Sequence, residues 1–329
     1  TDRRGASTPG DYSSRDAKNA ALSGRYEFDR SDIAADLSYR DTRRNAFFDN
    51  YFGAFGQTTF IDTQGKVWAF TPRAKMPFRF LGRDNTLIVG ADLDYWNYLS
   101  LRATDIATLG TPVANIAATQ RDRAIYAQNH TALGAATKLT LGVRTQRVEI
   151  AANDRANALP NANATQARDP RSWEAALRHN LDSATAIYGK IGSSFRIATL
   201  DEMFNNCGFF DLNTFTCFST ITPLEPQTSR DREIGVEYKQ QRGRLRANYY
   251  RMDLRNEIHF NALTFTNMNL SPTQRQGLEL EGSWNLGSRW NLFGSYTHAR
   301  AIFREGVYGG VDVSGKNVPL VPRDMAKLG

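Results

Sequence analysis

Residues 85–97 read Asn-Thr-Leu-Ile-Val-Gly-Ala-Asp-Leu-Asp-Tyr-Trp-Asn, and this stretch decides the fold class. Its apolar side chains recur at one parity and its two carboxylates at the other: Leu87, Val89, Leu93 and Tyr95 against Gly90, Asp92 and Asp94. Successive side chains of a β-strand point to opposite faces, so one face of this strand suits lipid and the other suits water. The pattern predicts an amphipathic strand.

The same period of two returns in residues 275–284 and 171–181. In the first of these segments the two faces are Leu278, Leu280 and Trp284 against Arg275, Glu279 and Glu281. About a dozen such segments can be counted, many longer than the roughly 9 to 11 residues that cross a bilayer. We therefore expect Asp92, Asp94, Arg275, Glu279 and Glu281 to line a hydrated lumen.

The connections between these segments alternate in length. The short ones are Asp29 to Ser31, Leu81 to Asn85, Ala132 to Thr137, Asp182 to Ala184, Gln241 to Gly243 and Asn285 to Ser288. The long ones are Arg43 to Gln64, Ser100 to Gln120, Ala152 to Pro170, Ile197 to Gln227, Asn261 to Pro272 and the stretch after Arg304. A soluble sandwich has no physical reason for this alternation, whereas an outer-membrane barrel has short periplasmic turns and long external loops. The sequence predicts an all-β, antiparallel transmembrane barrel.

Composition excludes several other classes of protein. The charged fraction is 23% and the mean hydropathy is -0.50. No run approaches the roughly 18 to 20 apolar residues of a spanning helix, so strands must cross any lipid, and lipid tolerates only closed barrels. The net charge is +7, but no known nucleic-acid-binding motif accompanies it. We expect no nucleic-acid partner.

Two cysteines, Cys207 and Cys217, lie within one long loop. In an oxidising compartment such a pair predicts a disulfide. Two unrelated free thiols are the alternative, and zinc is less favoured because no further ligands stand at metal-site spacing.

The sequence carries no recognisable catalytic motif. It has no phosphate-binding glycine loop, no Gly-x-Ser-x-Gly elbow and no His-Glu-x-x-His helix. We expect neither an enzyme nor a resident cofactor or metal. A passive porin, an adhesin or an embedded hydrolase whose residues meet only in the fold stays open as an alternative.

Several motifs resemble the barrel of TonB-dependent outer-membrane receptors. They are residues 194–202, 224–229, 233–238, 275–281, 292–297 and 318–323, read as SFRIATLDE, LEPQTS, EIGVEY, RQGLELE, LFGSYT and VPLVPR. Their order and spacing carry the resemblance over the C-terminal half. Ala198 stands where the family usually has proline, and Gln227 where glutamate is common.

This resemblance implies a barrel of about 22 strands with a plug inside it and a TonB box before the plug. Such receptors sit in the outer membrane of Gram-negative bacteria, contact its lipid, act as monomers and draw energy from the TonB-ExbB-ExbD complex. Residues 1–329 resemble the central barrel strands alone, so we expect the plug, the TonB box and the closing strands to lie outside this sequence. The lumen residues would then contact the plug.

The resemblance also implies uptake of a scarce ligand, foremost a ferric siderophore, with cobalamin, haem or another nutrient as alternatives. Loop aromatics are the candidate contacts, because rings offer rigid contact area at low entropic cost. The candidates are Tyr51, Phe52, Phe55, Phe209 and Phe210. They could equally pack the loops against one another. The loop with Cys207 and Cys217 is expected to form one wall of the mouth.

Overall fold

The structure is a computed structural model that describes residues 10–49, 58–103, 106–156, 162–211, 216–261, 266–287 and 289–329. A 14-stranded antiparallel sheet makes up most of it. No helix within these ranges is long and apolar enough to cross a membrane.

The large sheet runs in chain order, with small hairpins inserted in its long connections. Its strands are β1 (Tyr12–Phe28), β2 (Ser31–Asp49), β3 (Thr58–Phe80), β4 (Arg83–Ala103), β5 (Ala114–Ala132), β6 (Thr137–Asp154), β7 (Asn163–Arg168), β8 (Arg171–Asn180), β9 (Thr185–Arg196), β12 (Gln227–Gln240), β13 (Gly243–Arg255), β16 (Thr273–Leu286), β17 (Trp290–Phe303) and β20 (Asp324–Leu328). The hairpins are β10 (Phe204–Asp211) with β11 (Thr216–Ile221), β14 (Ile258–Asn261) with β15 (Thr266–Asn269), and β18 (Val307–Tyr308) with β19 (Val311–Asp312). A 3-10 helix covers Ile106–Gly110, and helix α1 covers Leu200–Met203.

β7 and β8 act as one strand interrupted at Pro170. Val148 of β6 pairs with Arg168, and Thr145 pairs with Arg171, so the register does not shift across the break. Proline has no N–H to donate to the sheet, but its carbonyl still accepts from the N–H of Gln146 at 3.0 Å. If β7 and β8 are counted as one strand, the large sheet has thirteen strands side by side, one more than the dozen expected from the sequence.

The predicted short turns are confirmed as connections between consecutive paired strands, although Ser288 of the last one lies outside the described residues. The turn from β3 to β4 shows the local cause. Leu81 and Gly82 have φ of 49° and 73°, the left-handed values that a two-residue hairpin turn needs to match the strand twist.

Three of the predicted long loops, residues 43–64, 100–120 and 152–170, are wrong in their bounds, whereas the loop from Ile197 to Gln227 and the stretch after Arg304 begin where β9 and β17 end. β2 continues to Asp49 and β3 starts at Thr58, although residues 43–64 were expected to be loop. β4 likewise reaches Ala103, and β5 starts at Ala114. The ends of β2 and β3 carry polar groups on both faces, and the start of β5 turns its apolar groups, Ala114, Ile116 and Ala118, to the inner face. Both patterns hide the outward apolar period, but the backbone pairing continues. The strands thus project as a wall beyond the apolar part of the sheet.

The sheet has two chemically different faces. Large apolar side chains are exposed along one face, which we call the outward face: Val143, Trp173, Ile191, Ile234, Leu245, Tyr249, Leu278, Leu280 and Leu292 are among them. The opposite, inner face carries charged and polar groups that pair with one another, such as Arg144 with Asp92 and Arg178 with Glu237. An exposed apolar face of this extent needs a lipid environment, as the sequence predicted.

Glycines on the inner face let tyrosine rings lie flat against the sheet. The pairs are Gly90 with Tyr126, Gly235 with Tyr188, and Gly277 with Tyr250. A Cβ at Gly235 would overlap the Tyr188 ring. The Tyr188 hydroxyl donates to Glu233 at 3.0 Å and accepts from Arg246 at 2.8 Å, so the ring position fixes an ion-pair network. The absence of a side chain at these glycines is therefore structural.

We predict that Gly235→Ala lowers the free energy of unfolding by about 1–3 kcal/mol, because the methyl group displaces Tyr188 from a packed position. Thermal unfolding followed by β-sheet circular dichroism measures this. Gly65→Ala is the matched control, since a Cβ at Gly65 meets no atom within 4 Å. Equal stability of the two variants would contradict this role of Gly235.

Candidate functional site

The connection from β9 to β12 folds back onto the inner face of the projecting wall. Ala114, Ile116 and Ala118 of β5 share a face with Ala124, which pairs with Asp92 of the inner face. These positions form one buried apolar cluster with the connection: Ala114, Ile116, Ala118, Val148, Ile150, Ala152, Ala198, Met203, Phe204, Ile221, Leu224 and Ile258. The connection is thus held inside the mouth of the barrel wall by apolar burial.

A capping box fixes the start of this connection. The Thr199 hydroxyl accepts from the N–H of Glu202 at 3.3 Å, and the Glu202 carboxylate accepts from the N–H of Thr199 at 2.8 Å. This reciprocal pair satisfies free backbone groups of the short helix α1. Arg196, the last residue of β9, donates from Nη1 to both oxygens of Glu202 at 2.9 Å. The helix is therefore tied to the strand that precedes it.

Arg102 links the wall to the hairpin of β10 and β11. Its guanidinium lies 4.1 Å from the ring centroid of Phe204, a cation-π geometry. Its Nη2 lies 3.4 Å from Oδ1 of Asp201, and the Tyr98 hydroxyl donates to the same oxygen at 3.0 Å. These residues lie beyond the apolar band. Burial lowers the pKa of Arg102, and burial followed by the Asp201 charge raises the pKa of Tyr98.

The hairpin carries several of the predicted ligand contacts. Backbone pairing sets Phe204 opposite Ile221, Phe209 opposite Phe218 and Phe210 opposite Cys217, with a register shift between Asn205 and Phe209. The side chains of residues 205–219 lie outside the described part of the structure, so the Cys207–Cys217 disulfide and the ring contacts of Phe209 and Phe210 stay predictions. Tyr51, Phe52 and Phe55 also lie outside the described residues.

Glu257 anchors a second side of the mouth. Its side chain is buried, accepts from the Thr273 hydroxyl and forms an ion pair with Arg275. A buried carboxylate is costly unless it is paired in this way. Arg275 was predicted to face the lumen, and it does lie on the inner face, near its outer end.

The other predicted lumen residues lie on the same inner face. Asp92 pairs with Arg144, Glu279 accepts from Asn248 at 3.1 Å, and Glu281 lies 3.9 Å from Arg246. Asp94 has the parity of Asp92 in β4. Contact of these groups with a plug stays a prediction.

Sequence reasoning did not find Tyr98, Arg102 or Glu257, and it grouped Phe204 only with the other aromatic residues of the long loop. Arg102 and Phe204 are 102 positions apart and meet only because the connection folds back. The sequence carries a weak signal for this connection, since Thr199 and Glu202 stand at capping-box spacing within residues 194–202.

Comparisons with known proteins agree with this architecture. The family described as TonB dependent receptor-like, beta-barrel matches residues 1–329. The chain is similar to the ferric-catecholate import receptor Fiu from E. coli K12, with 15% identity, a TM-score of 0.73, and coverage of 97% of this chain and 52% of that one. It is equally similar to the siderophore receptor PiuA from Acinetobacter baumannii, with 15% identity, a TM-score of 0.74, and coverage of 97% and 52%.

A third similar structure is the unliganded ferric citrate transporter FecA, with 17% identity, a TM-score of 0.74, and coverage of 97% of this chain and 47% of that one. At identities of 15% to 17%, the likeness to these three structures shows that the chain shares their fold. The chain spans about half the length of these structures. None of the curated protein sequences compared with the chain matches it.

The paired inner face, the apolar outward face and the family match over residues 1–329 lead to one conclusion. Proteins of this family are transporters of the bacterial outer membrane, which confirms the expectation that the chain is not an enzyme. The chain belongs to the family of TonB-dependent receptor β-barrels.

Proposed function

We propose that this barrel segment belongs to an outer-membrane receptor that takes up a ferric siderophore. The observation that supports this most is the position of the β9–β12 connection. It packs on the inner face of the projecting wall and carries a hairpin with Phe209 and Phe210 at the mouth. A bulky, partly apolar chelate needs rigid ring surface in such a position.

The similar structures support the same ligand class, since Fiu, PiuA and FecA are named as a ferric-catecholate receptor, a siderophore receptor and a ferric citrate transporter. Cobalamin and haem are the competing ligands within the family. Growth of the host bacterium on single ferric siderophores as the iron source, with and without the gene, separates these possibilities.

The proposal includes an energy source outside this chain. We infer that a plug and a TonB box in the complete receptor couple it to the TonB-ExbB-ExbD complex, and that the receptor is a monomer in the outer membrane. The polar inner face suits a plug that shifts, because ion pairs and hydrogen bonds can exchange with water whereas an apolar contact would hold the plug in place.

We predict that the complete receptor binds ferric siderophores with saturable quenching of tryptophan fluorescence, and that Phe209→Ala with Phe210→Ala weakens binding at least about tenfold, through lost ring contact. Cobalamin and haem should give no saturable change. Binding that survives the double substitution would remove these rings from the site.

We predict that Phe204→Ala loosens the connection, because it empties the centre of the apolar cluster and removes the ring beneath Arg102. Hydrogen exchange at residues 199–204 and 220–224 should rise, while the unfolding temperature of the sheet changes little. Phe260→Ala is the matched control, since Phe260 is exposed on another hairpin. Unchanged exchange in the Phe204 variant would contradict the anchoring role.

We predict that Cys207 and Cys217 form a disulfide that orders the hairpin, worth about 2–4 kcal/mol to its closed form. Thiol titration of the unfolded, unreduced receptor should find no free thiol, and reduction should weaken siderophore binding. Two titratable thiols per chain would show that the cysteines are unpaired.

A further inference from the structure

Three long connections meet at the mouth: those from β9 to β12, from β13 to β16 and from β17 to β20. The middle one carries the hairpin of β14 and β15. Its Ile258 is part of the apolar cluster of the β9–β12 connection. Leu270, directly after β15, is buried in a second cluster with Ala301, Phe303 and Val318. The middle connection therefore contributes to both apolar clusters.

Asn269, the last residue of β15, joins the middle connection to the β9–β12 connection through its side chain. Its amide nitrogen donates to the carbonyl of Glu225 at 3.0 Å and to the carbonyl of Asn256 at 2.8 Å. Its amide oxygen accepts from the N–H of Glu225 at 2.8 Å. The two bonds to Glu225 copy the exchange of N–H and carbonyl bonds between paired residues of an antiparallel sheet. Both donors of the amide and its oxygen are thus bonded to backbone groups.

Glu225 is also tied to the wall. Its carboxylate accepts from Nε of Arg168 at 2.8 Å and forms an ion pair with the same guanidinium. The carbonyl of Leu224 accepts from the buried side chain of Gln166 at 2.9 Å. Arg168 and Gln166 belong to β7, which pairs with β6 alone among the described strands. The segment that Asn269 holds is therefore fixed to the wall on its other side.

The middle connection is tied to the β17–β20 connection as well. The N–H of Ser271 donates to the hydroxyl of Tyr308 at 2.7 Å. A Cβ added at Gly306 would lie 2.6 Å from Oγ of Ser271, so the two segments are in close contact there. The N–H of Leu270 donates to the carbonyl of Glu257 at 2.8 Å, which closes the base of the hairpin. Contacts thus run without a gap from β7 to Tyr308.

We propose that Asn269 is a positioning residue of the mouth, which joins the three connections into one preassembled layer. Ile258 also reaches the β9–β12 side, and its N–H donates to Oε1 of Gln227 at 3.1 Å. Asn269 adds a side chain that bonds the backbone of both connections at once. Its removal takes this partner from the carbonyl of Asn256 and from both backbone groups of Glu225, and a polar group left unpaired costs free energy.

A preassembled layer changes what ligand binding costs. The hairpin with Phe209 and Phe210 belongs to the β9–β12 connection, so its base is held by the layer. Ordering of loops on binding subtracts from affinity, and a surface that is already ordered avoids that cost. This consequence rests on the proposed function, whereas the joining of the three connections does not.

The test is amide hydrogen exchange of the complete receptor in detergent micelles without ligand, so its result is independent of siderophore binding. Asn269→Ala should raise the exchange rate about tenfold at residues 224–225, 256–258 and 306–313. The last of these segments is the decisive one, because the three hydrogen bonds of the Asn269 amide end at residues 225 and 256. The unfolding temperature of the sheet should stay unchanged, because strand pairing holds it.

Two further variants separate hydrogen bonding from space filling. Asn269→Asp keeps the shape and the oxygen, but it removes both N–H donors and sets a carboxylate against the carbonyls of Glu225 and Asn256. It should raise exchange at least as much as Asn269→Ala. Asn267→Ala is the matched control, since Asn267 lies two positions earlier in β15 and its side chain makes no hydrogen bond within the described residues. It should leave exchange unchanged.

A rise at all three segments in both Asn269 variants, with none in Asn267→Ala, supports the joined layer. Exchange that rises only at residues 224–225 and 256–258 would overturn the proposal, by showing that the connections move independently. Wild-type exchange in Asn269→Asp would also overturn it, because the side chain would then act by filling space.

Discussion

Backbone pairing between neighbouring antiparallel strands is the constraint on which the rest of this structure depends. Lipid offers no hydrogen bonds to an unpaired N–H or carbonyl, so each crossing strand must be paired along its length. The register runs without a shift from β12 through β13 and β16 to β17. Even Pro170, which cannot donate, interrupts β7 and β8 without moving their register on β6. Because the register is kept, side-chain parity is kept, and the two faces stay chemically distinct across the sheet.

The separation of faces decides how each charge is used. On the inner face, arginines and carboxylates lie close enough to pair, and tyrosine rings lie over glycines and join these networks. On the outward face, exposed apolar side chains such as Ile234, Tyr249 and Leu278 dominate, and His298 beside them pairs with Asp324. The contrast is physical: a hydrated inner wall can hold paired charges at small cost, whereas a charge beside lipid needs a headgroup or water as its partner.

The mouth is built by a different interaction. The strands that project past the apolar band offer small and apolar side chains inward, and the β9–β12 connection covers them with Met203, Phe204, Ile221 and Leu224. A long loop in water costs conformational entropy to order, and this burial together with the Thr199 capping box offsets that cost. The hairpin with the two cysteines is thereby placed on the inner side of the wall instead of extending away from it.

The sequence by itself determined the period of two, the short turns, the all-β class and the parity of Asp92, Arg275 and Glu279, because these follow from local side-chain direction. It did not determine where β2, β3, β4 and β5 end, since the projecting parts of these strands are polar on both faces or turn their apolar groups inward, and both patterns break the outward apolar period. Only the tertiary structure brought Arg102 to Phe204, Glu257 to Arg275, and Arg232 opposite Arg251. These contacts depend on strand register and on the path of a long connection, and both are set by pairing and burial between segments far apart in the chain.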